Sequence, residues 1–384
     1  MKNVCIILPK GLPVPNVLGG AIETLVTDII KENENQKKLN ITCISIFNDN
    51  ALELSKNYNY TKFIYIKNDL KYKLTAIKVR ILNLFGKKQN TYNEVVLSKI
   101  KKEKYDYIVV EDGAYMSFVS YLKYFKKEQM ILHFHHTECS DLNTDKTFSK
   151  FIAVSDFVKN NFKKNSTIKN FFTVRNGIDI SKFKKKYSKE EQIKLRKKYG
   201  FKPNDFIVVF CGRLIPEKGV LELVRSIKLI KNNKIKLLIV GSINFGKQNT
   251  SHYVESLKSE IASSHNRIKC TGYIDNNDLY KFYKSSDIGF LSSICEEAAG
   301  LVIIEMMACG LPIVITNSGG APENVPKSTI IVDKKNNIEE SFKNAIEKMY
   351  QDHELRKKIS KEGLYLSSIL TTQKFYNDFV SILK

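Results

Sequence analysis

The sequence predicts an α/β protein with two doubly wound, Rossmann-like domains that face a central cleft. Short apolar runs alternate with helical stretches along most of the 384 residues, which is typical of parallel sheets covered on both faces. The length is more than one hydrophobic core usually fills. Residues 181–204 interrupt the alternation with a highly charged stretch broken by Gly200 and Pro203, as expected for an interdomain linker.

The predicted domains are residues 1–180 and 205–370, and a C-terminal helix within 371–384 is expected to pack back on the first domain. Another helix is predicted over 338–350. Apolar runs bounded by polar residues predict the strands, which are NVCIIL, NITCISIF, KFIYI, DYIVVE, QMILHF, FIAVS and FFTVRN, then FIVVFCG, IKLLIVG, RIKCTGY, DIGFLSS, PIVIT and TIIVD.

The composition indicates the cellular compartment of the protein but does not decide which anionic partner, if any, it binds. The seven cysteines are odd in number and never form C-x-x-C, which favours reduced thiols in a cytoplasm. No apolar run has the length of a signal peptide or membrane span. The net charge of +22 fits nucleic acid, an anionic membrane surface, or the background composition of a chain rich in Lys, Asn and Ile.

Ligands of open α/β sheets bind at the carboxyl ends of the strands, so the loops after strands are the informative ones. Gly19 and Gly20 open a helix after the first strand, where bare backbone can approach an anion or a sugar closely. An ordinary turn is the alternative. No G-x-G-x-x-G follows the first strand of either domain, which argues against a nicotinamide enzyme.

The loop GRLIPEKGV places two cations of different geometry in a frame of glycine and proline. The planar fork of Arg213 and the point charge of Lys218 suit a diphosphate. A solvated charged loop is the alternative.

The stretch EEAAGLVIIEMMACG places carboxylates around a predicted helix start at Gly300. Unpaired amides from Gly300 to Val302, with the helix dipole, form an anion site. Glu305 lies inside a helix that is apolar nearly all round, so it is expected to be buried and to need a partner. That partner is either internal to the protein or a pair of sugar hydroxyls.

These motifs together resemble those of retaining GT-B glycosyltransferases of family 4. EAAGLVIIE resembles the E-x7-E motif, GRLIPEKG the donor-diphosphate loop, VRNGID the N-G-(I/V)-D signature, and SGGAPE a later glycine turn. LPVP…GGAIETL is similar to the first loop of bacterial envelope-polysaccharide members. The matches run in family order from about residue 9 to 323, so the resemblance covers nearly the whole chain.

The resemblance implies a role for each matching position. Arg213 and Lys218 would bind the nucleotide diphosphate, Glu305 the ribose hydroxyls and Glu297 the sugar hydroxyls, with spacing selecting Glu297 over Glu296. The remaining expected donor contacts are Gly19, Gly20, Gly272, Tyr273, Ile274, Ala299, Gly300, Leu301 and Val302. Ala298-Ala299 stands where the family often has Pro-Phe, which leaves the shape of the sugar pocket open.

The histidines in LHFHHTE allow three interpretations. They fit a metal site, a structural strand end, or, by the resemblance, a catalytic His135 near the donor sugar. His133 alternates with His135 on one strand face and is expected to be its packing neighbour. No Asp-x-Asp occurs in the chain, and we predict no metal and no cofactor.

The resemblance implies a metal-independent glycosyltransferase with an acceptor-side first domain and a donor-side second domain. It would move a sugar with retention from a nucleotide-diphosphate sugar, with uridine the expected nucleoside. The acceptor hydroxyl would belong to a lipid-linked, polysaccharide or glycoprotein acceptor in capsule or cell-envelope synthesis. Alternatives are a UDP-sugar 2-epimerase of the same fold, a basic nucleic-acid or membrane-binding module, and an inactive scaffold. The basic residues are dispersed, which argues against nucleic acid.

Residues 70–88 place apolar side chains at helical spacing among lysines. Such a basic amphipathic helix would lie on anionic lipid at the inner face of the plasma membrane. The alternative is an ordinary surface helix that packs its apolar stripe on the sheet.

Overall fold

A computed structural model describes residues 1–113, 115–137, 142–164, 166–167, 169–242, 252–335 and 337–384. The chain divides into two compact units. The first unit comprises Met1–Gly177 together with Thr372–Lys384, and the second comprises Ile178–Thr371.

The strands follow the apolar runs of the sequence. In chain order they are β1 (Lys2–Ile7), β2 (Leu39–Ile46), β3 (Thr61–Ile66), β4 (Tyr107–Glu111), β5 (Met130–Phe134), β6 (Lys150–Ala153), β7 (Phe171–Thr173), β8 (Phe206–Cys211), β9 (Ile235–Val240), β10 (Ile268–Cys270), β11 (Ile288–Leu291), β12 (Ile313–Thr316) and β13 (Ile330–Val332). Each predicted strand is confirmed, and no strand end differs from its prediction by more than three residues.

The α-helices lie between the strands and after the last one. They are α1 (Ala21–Gln36), α2 (Asp49–Ser55), α3 (Leu70–Leu84), α4 (Thr91–Ile100), α5 (Leu142–Thr147), α6 (Asp156–Lys163), α7 (Ile180–Phe183), α8 (Lys189–Lys198), α9 (Val220–Leu229), α10 (His252–Ala262), α11 (Leu279–Lys284), α12 (Leu301–Ala308), α13 (Ile338–Gln351), α14 (His353–Ile369) and α15 (Thr372–Ile382). Short 3-10 helices occupy Tyr115–Lys123, Lys127–Gln129, Pro216–Lys218 and Ala321–Asn324.

Each unit contains one parallel sheet. Over the described residues, the first sheet has the strand order β3-β2-β1-β4-β5-β6-β7 and the second has the order β10-β9-β8-β11-β12-β13. Strand order reverses beside β1 in the first sheet and beside β8 in the second, and such switch points open a crevice at the strand ends. The predicted class, two doubly wound Rossmann-like units, is confirmed.

The C-terminal segment returns to the first unit as helix α15. The hydroxyl of Tyr376 donates to Asn33 Oδ1 of α1 at 2.6 Å, and the hydroxyl of Thr372 donates to Glu32 at 2.6 Å. The stretch 181–204, which the sequence analysis treated as a linker, lies inside the second unit and contains α7 and α8.

Helix α14 was absent from the sequence prediction, which had only two helices after β13. Its interior carries Gly363, and glycine usually weakens a helix. Here the glycine permits close packing on α12, because a Cβ at Gly363 would lie 3.1 Å from Met307 Cγ. Packing against α12 therefore outweighs the low helix propensity.

None of the helices described is both long enough and apolar enough to cross a bilayer.

Candidate functional site

The loop after β8 is held by a close backbone approach at Gly219. This residue has a φ of 63°, and a Cβ on it would lie 2.0 Å from the carbonyl oxygen of Ser292, so only glycine fits. The N–H of Ile294 donates to the Glu217 carbonyl at 3.0 Å, and the Ser292 hydroxyl donates to the Lys218 carbonyl at 2.7 Å. The loops that follow β8 and β11 are therefore bound to each other.

This contact brings Lys218 to Glu297. The Lys218 ammonium lies 2.5 Å from Glu297 Oε1, and the Ser293 hydroxyl donates to the same oxygen. The N–H of Gly320, in the SGGAPE turn, donates to the backbone carbonyl of Glu297 at 2.8 Å. Three of the motifs selected from the sequence thus meet at Glu297, the diphosphate loop at its carboxylate and the SGGAPE turn at its backbone carbonyl.

The neighbouring carboxylate points elsewhere. Glu296 pairs with Lys334 at 2.8 Å, and its side chain is 46% exposed, whereas the side chain of Glu297 is 12% exposed. A shielded ion pair interacts more strongly than a solvated one. The two adjacent glutamates therefore differ in environment as well as in spacing to Glu305.

Helix α12 begins as predicted, with Gly300 as its N-cap at a φ of 73°. Leu301 and Val302 form the first helical positions and are half-buried, and Ala299 before them is buried. The first amides of a helix have no partner within it. The start of α12, where the sequence predicts an anion site, therefore lies a few residues from Glu297 in sequence.

Glu305, expected to be buried, is half-buried in the structure. Its partner in the protein is the hydroxyl of Tyr283, which donates to Oε2 at 3.0 Å. Burial raises the pKa of Glu305 to about 7, and the Tyr283 hydrogen bond and the charge of Lys182 oppose that rise only in part. The carboxylate keeps acceptor capacity for further hydrogen bonds.

The other donor-side residues lie at strand ends of the second unit. Arg213 follows β8 and is exposed; within the described ranges, no hydrogen bond or ion pair holds its guanidinium. Gly272 follows β10, and its carbonyl accepts the N–H of Gly241 at 3.1 Å. Tyr273 is exposed and Ile274 is half-buried.

In the first unit, the ends of β4 and β5 form a buried cluster. Glu111 Oε2 lies 2.9 Å from His133 Nδ1 and 2.7 Å from His135 Nε2. Glu111 and His133 are fully buried, and the His135 side chain is 6% exposed. The imidazole centroids lie 4.2 Å apart, which confirms His133 as the packing neighbour of His135.

The protonation of this cluster follows from its burial and its charges. Burial alone would raise the pKa of Glu111, but His133 and His135 outweigh it and lower that pKa to about 2. Burial lowers the pKa of His133. Glu111 is therefore an ionised acceptor at neutral pH, and His135 Nε2–H donates to it. In neutral His135 this leaves Nδ1 as an acceptor.

The same three residues are the group that could hold a metal ion. Their ligand atoms all lie within 4.8 Å of one another, and within the part of the chain that the structure describes no other such group of three occurs. Glu111 Oε1 and His133 Nε2 are buried without a hydrogen-bond partner. The donor set is compatible with a divalent cation, so the expected independence from metal stays a prediction.

The glycine loop after β1 adjoins this cluster. Gly20 has a φ of 99°, a conformation that favours glycine, and its missing side chain leaves room for the carboxylate of Glu23. Burial raises the pKa of Glu23. Hydrogen bonds from the backbone N–H groups of Glu23 and Leu12 and the charge of His135 lower this pKa, but by less. Glu23, on the first turn of α1, is thus electrostatically coupled to His135.

The predicted site residues divide between the two units. Gly19, Gly20 and His135 belong to the first unit, and all the others belong to the second. Glu23, Glu111, Tyr283 and Ser293 were not among the predicted site residues. For Glu111 a signal existed, because it ends a predicted strand and His135 directly follows one. For Tyr283, in the lysine-containing helix α11, no signal existed.

The two parallel sheets, with functional side chains at their carboxyl edges, define a protein of the GT-B fold class. Residues 191–364 match the family model described as Glycosyl transferases group 1. The matched range lies within the second unit, Ile178–Thr371.

Relatives and a solved structure support this class. The chain is similar to the Uncharacterized glycosyltransferase MJ1607 of Methanocaldococcus jannaschii, with 32% identity over 39% of this chain and 37% of that protein. It is also similar to the Capsular polysaccharide biosynthesis glycosyltransferase CapM of Staphylococcus aureus, with 28% identity over 55% of each. A crystal structure of Anabaena Alr3699/HepE in complex with UDP and glucose has 19% identity and a TM-score of 0.78, covering 99% of both chains.

Proposed function

We propose that the protein is a retaining glycosyltransferase that moves a sugar from a nucleoside diphosphate sugar to an acceptor hydroxyl. The observation that carries the proposal is the contact between Lys218 and Glu297 at 2.5 Å, beside the start of α12. A cation, a carboxylate and free amides are the groups that a diphosphate, a sugar and a ribose require. The resemblance to family 4 supports retention, and the HepE complex supports a uridine nucleotide.

The ion pair implies an exchange of partners when the donor binds. Lys218 neutralises Glu297 in the free chain. An entering diphosphate would compete for the ammonium and release Glu297 to accept sugar hydroxyls. The same ammonium, with Arg213 and the amides of α12, would then stabilise the charge that develops on the leaving diphosphate. The leaving phosphate would act as the base for a substitution on the same face.

The first unit would contribute His135. Glu111 Oε2 lies 2.7 Å from His135 Nε2. With Nε2–H as the donor to Glu111, the tautomer with one ring proton has Nδ1 as its acceptor. We assign Glu111 as a positioning residue and His135 as the group that meets the donor sugar. The acceptor would be a hydroxyl of a cell-surface glycan or of its lipid-linked precursor, in line with the similarity to CapM.

The test is acceptor-dependent release of nucleoside diphosphate. Purified chain is incubated with UDP-glucose, UDP-galactose or UDP-N-acetylglucosamine, with and without a mixture of glycan acceptors, and the anomeric configuration of any product is read by NMR. Lys218→Ala is expected to lower kcat at least 100-fold, about 3 kcal/mol of transition-state stabilisation. Lys334→Ala, which removes the ion pair of the adjacent Glu296, is the matched control and should retain activity.

Three outcomes separate the alternatives. A C2-inverted sugar nucleotide released without an acceptor would identify the 2-epimerase. An inverted anomeric centre would reject retention. Equal activity of the Lys218→Ala and Lys334→Ala variants would reject the site. A parallel series with EDTA, then with added Mg²⁺, Mn²⁺ or Zn²⁺, tests the predicted independence from metal at the Glu111 cluster.

A further inference from the structure

Helix α3 turns an apolar stripe away from the protein. The helix is capped by Asp69, whose side chain accepts the N–H of Tyr72 at 2.9 Å, and it packs through Tyr72 and Val79, which are buried. The stripe has the spacing i, i+4, i+7, i+11, i+14 and i+15, and its side chains are between 51% and 81% exposed. It consists of Leu70, Leu74, Ile77, Ile81, Leu84 and Phe85.

The geometry of a helix explains why both faces are apolar. At ~100° per residue, Tyr72 and Val79 lie roughly opposite the centre of the stripe. The helix therefore uses one face to pack on its own unit and keeps the other face in contact with solvent. The sequence alternative, an ordinary surface helix with its stripe packed on the sheet, is wrong. Exposed aliphatic side chains in a contiguous row mark a surface that contacts something else.

Charge identifies the partner. From Leu70 to Asn93 the chain has six cations and no carboxylate. These cations are exposed and consist of Lys71, Lys73, Lys78, Arg80, Lys87 and Lys88. On the helix, Lys71 and Lys78 border one side of the stripe, and Lys73 and Arg80 border the other. Within the described residues, none of the six forms an ion pair.

We propose that this α3 surface, residues 70–88, docks the protein on an anionic lipid bilayer. An apolar row flanked by cations on both sides lets the aliphatic groups enter the acyl boundary while the ammonium and guanidinium groups reach lipid phosphates. A second copy of the chain is the poorer occupant, because it would place six cations against six. The proposal is independent of the proposed catalytic function.

The experiment is co-sedimentation of the full chain with vesicles and no nucleotide sugar. Vesicles of phosphatidylcholine alone are compared with vesicles that contain 30% phosphatidylglycerol, in low and in high salt. We expect at least tenfold stronger binding to the anionic vesicles and a loss of that preference in high salt.

Two pairs of matched variants locate the surface. The triple variant Leu74→Gln, Ile77→Gln, Ile81→Gln removes the stripe, and Leu52→Gln with Leu54→Gln removes exposed leucines of α2. The triple variant Lys71→Gln, Lys73→Gln, Lys78→Gln removes flanking charge, and Lys194→Gln, Lys197→Gln, Lys198→Gln removes the same charge from α8. Both α3 variants should bind anionic vesicles at least tenfold more weakly, and both controls should bind like the wild type.

Other results overturn the proposal. Equal binding to neutral and anionic vesicles, or an equal loss in the α8 variant, would show that no specific surface exists. A chain that is dimeric by analytical ultracentrifugation and becomes monomeric only in the stripe variant, without vesicle binding, would assign the stripe to a second copy. Circular dichroism and urea unfolding of the four variants establish that each is folded.

Discussion

Glu111 ends strand β4 and Glu305 lies within helix α12, and the environments of these two carboxylates shift their pKa values in opposite directions. Two imidazoles lie within 2.9 Å of one oxygen of Glu111 and lower its pKa to about 2. Within the described part of the chain, the neutral hydroxyl of Tyr283 is the hydrogen-bond partner of Glu305, and burial raises the pKa of this carboxyl to about 7. The comparison separates a carboxylate whose charge is stabilised by two imidazoles of its own unit from one whose charge is opposed by burial.

The largest expected effect on stability is that of Glu111→Gln. The substitution keeps the shape and removes the charge that both imidazoles contact, so unfolding should cost about 3 kcal/mol less, on the scale of hydrogen bonds to a charged group. Urea unfolding at pH 7 measures it. Glu53→Gln, which breaks an exposed ion pair with Lys56, is the control and should change stability by less than about 0.5 kcal/mol. An equal, small change in both variants would contradict the assigned role of Glu111.

Glu305→Gln should affect ligand binding more than stability. If the carboxylate accepts two ribose hydroxyls, its loss should weaken UDP binding by about 2 kcal/mol, or roughly 30-fold in Kd. Isothermal titration calorimetry with UDP measures this effect. Glu296→Gln is the matched control, since that residue is exposed and pairs with Lys334. Unchanged affinity in Glu305→Gln would leave this carboxylate with an internal role only.

The fold could be predicted from the sequence because parallel strands buried on both faces are short apolar runs, and all the predicted runs became strands. Their exact ends could not, because strand ends depend on pairing with neighbours. Helix α14 escaped prediction for a similar reason. Gly363 and Met307 are far apart in sequence, and their contact is what makes a glycine acceptable there.

The candidate site was predictable only where one motif carries the chemistry. Lys218 and Glu297 stand in loops after strands, in patterns with glycine and proline, so each could be selected alone. Their mutual contact could not, because it depends on the approach of Gly219 to Ser292. The environment of His135 likewise depends on another strand, which brings its carboxylate from outside the histidine motif.

Glu305 and Glu111 should make the free energy of unfolding depend on pH in opposite directions. A raised folded-state pKa means that the folded chain binds more protons than the unfolded chain between about 4.5 and 7, so Glu305 lowers stability as pH rises through that window. Glu111 contributes stability above pH 4.5 that is lost as pH falls toward 2. Of these two carboxyl groups, only Glu305 titrates between pH 5 and 7. The free energy of unfolding is expected to fall by about 1 to 2 kcal/mol over this range.

Urea unfolding of wild type and Glu305→Gln at several pH values between 5 and 8 measures this difference. The variant should lack the Glu305 contribution to the slope, and Glu111→Gln should retain it. A slope that is unchanged by Glu305→Gln would show that this carboxyl titrates normally in the folded chain.

The smallest predicted effect is that of Tyr283→Phe, which removes the hydroxyl that donates to Glu305 at 3.0 Å. The hydrogen bond favours the ionised carboxylate, so its loss should raise the pKa of Glu305 above about 7 and cost about 1 kcal/mol at pH 8, with a smaller cost at pH 5. Tyr376→Phe is the matched control, because that buried hydroxyl donates to the neutral amide of Asn33 at 2.6 Å and its cost should not depend on pH. Equal costs at pH 5 and pH 8 in both variants would mean that Tyr283 contributes packing alone, and that Glu305 already has its ionised form satisfied by another partner.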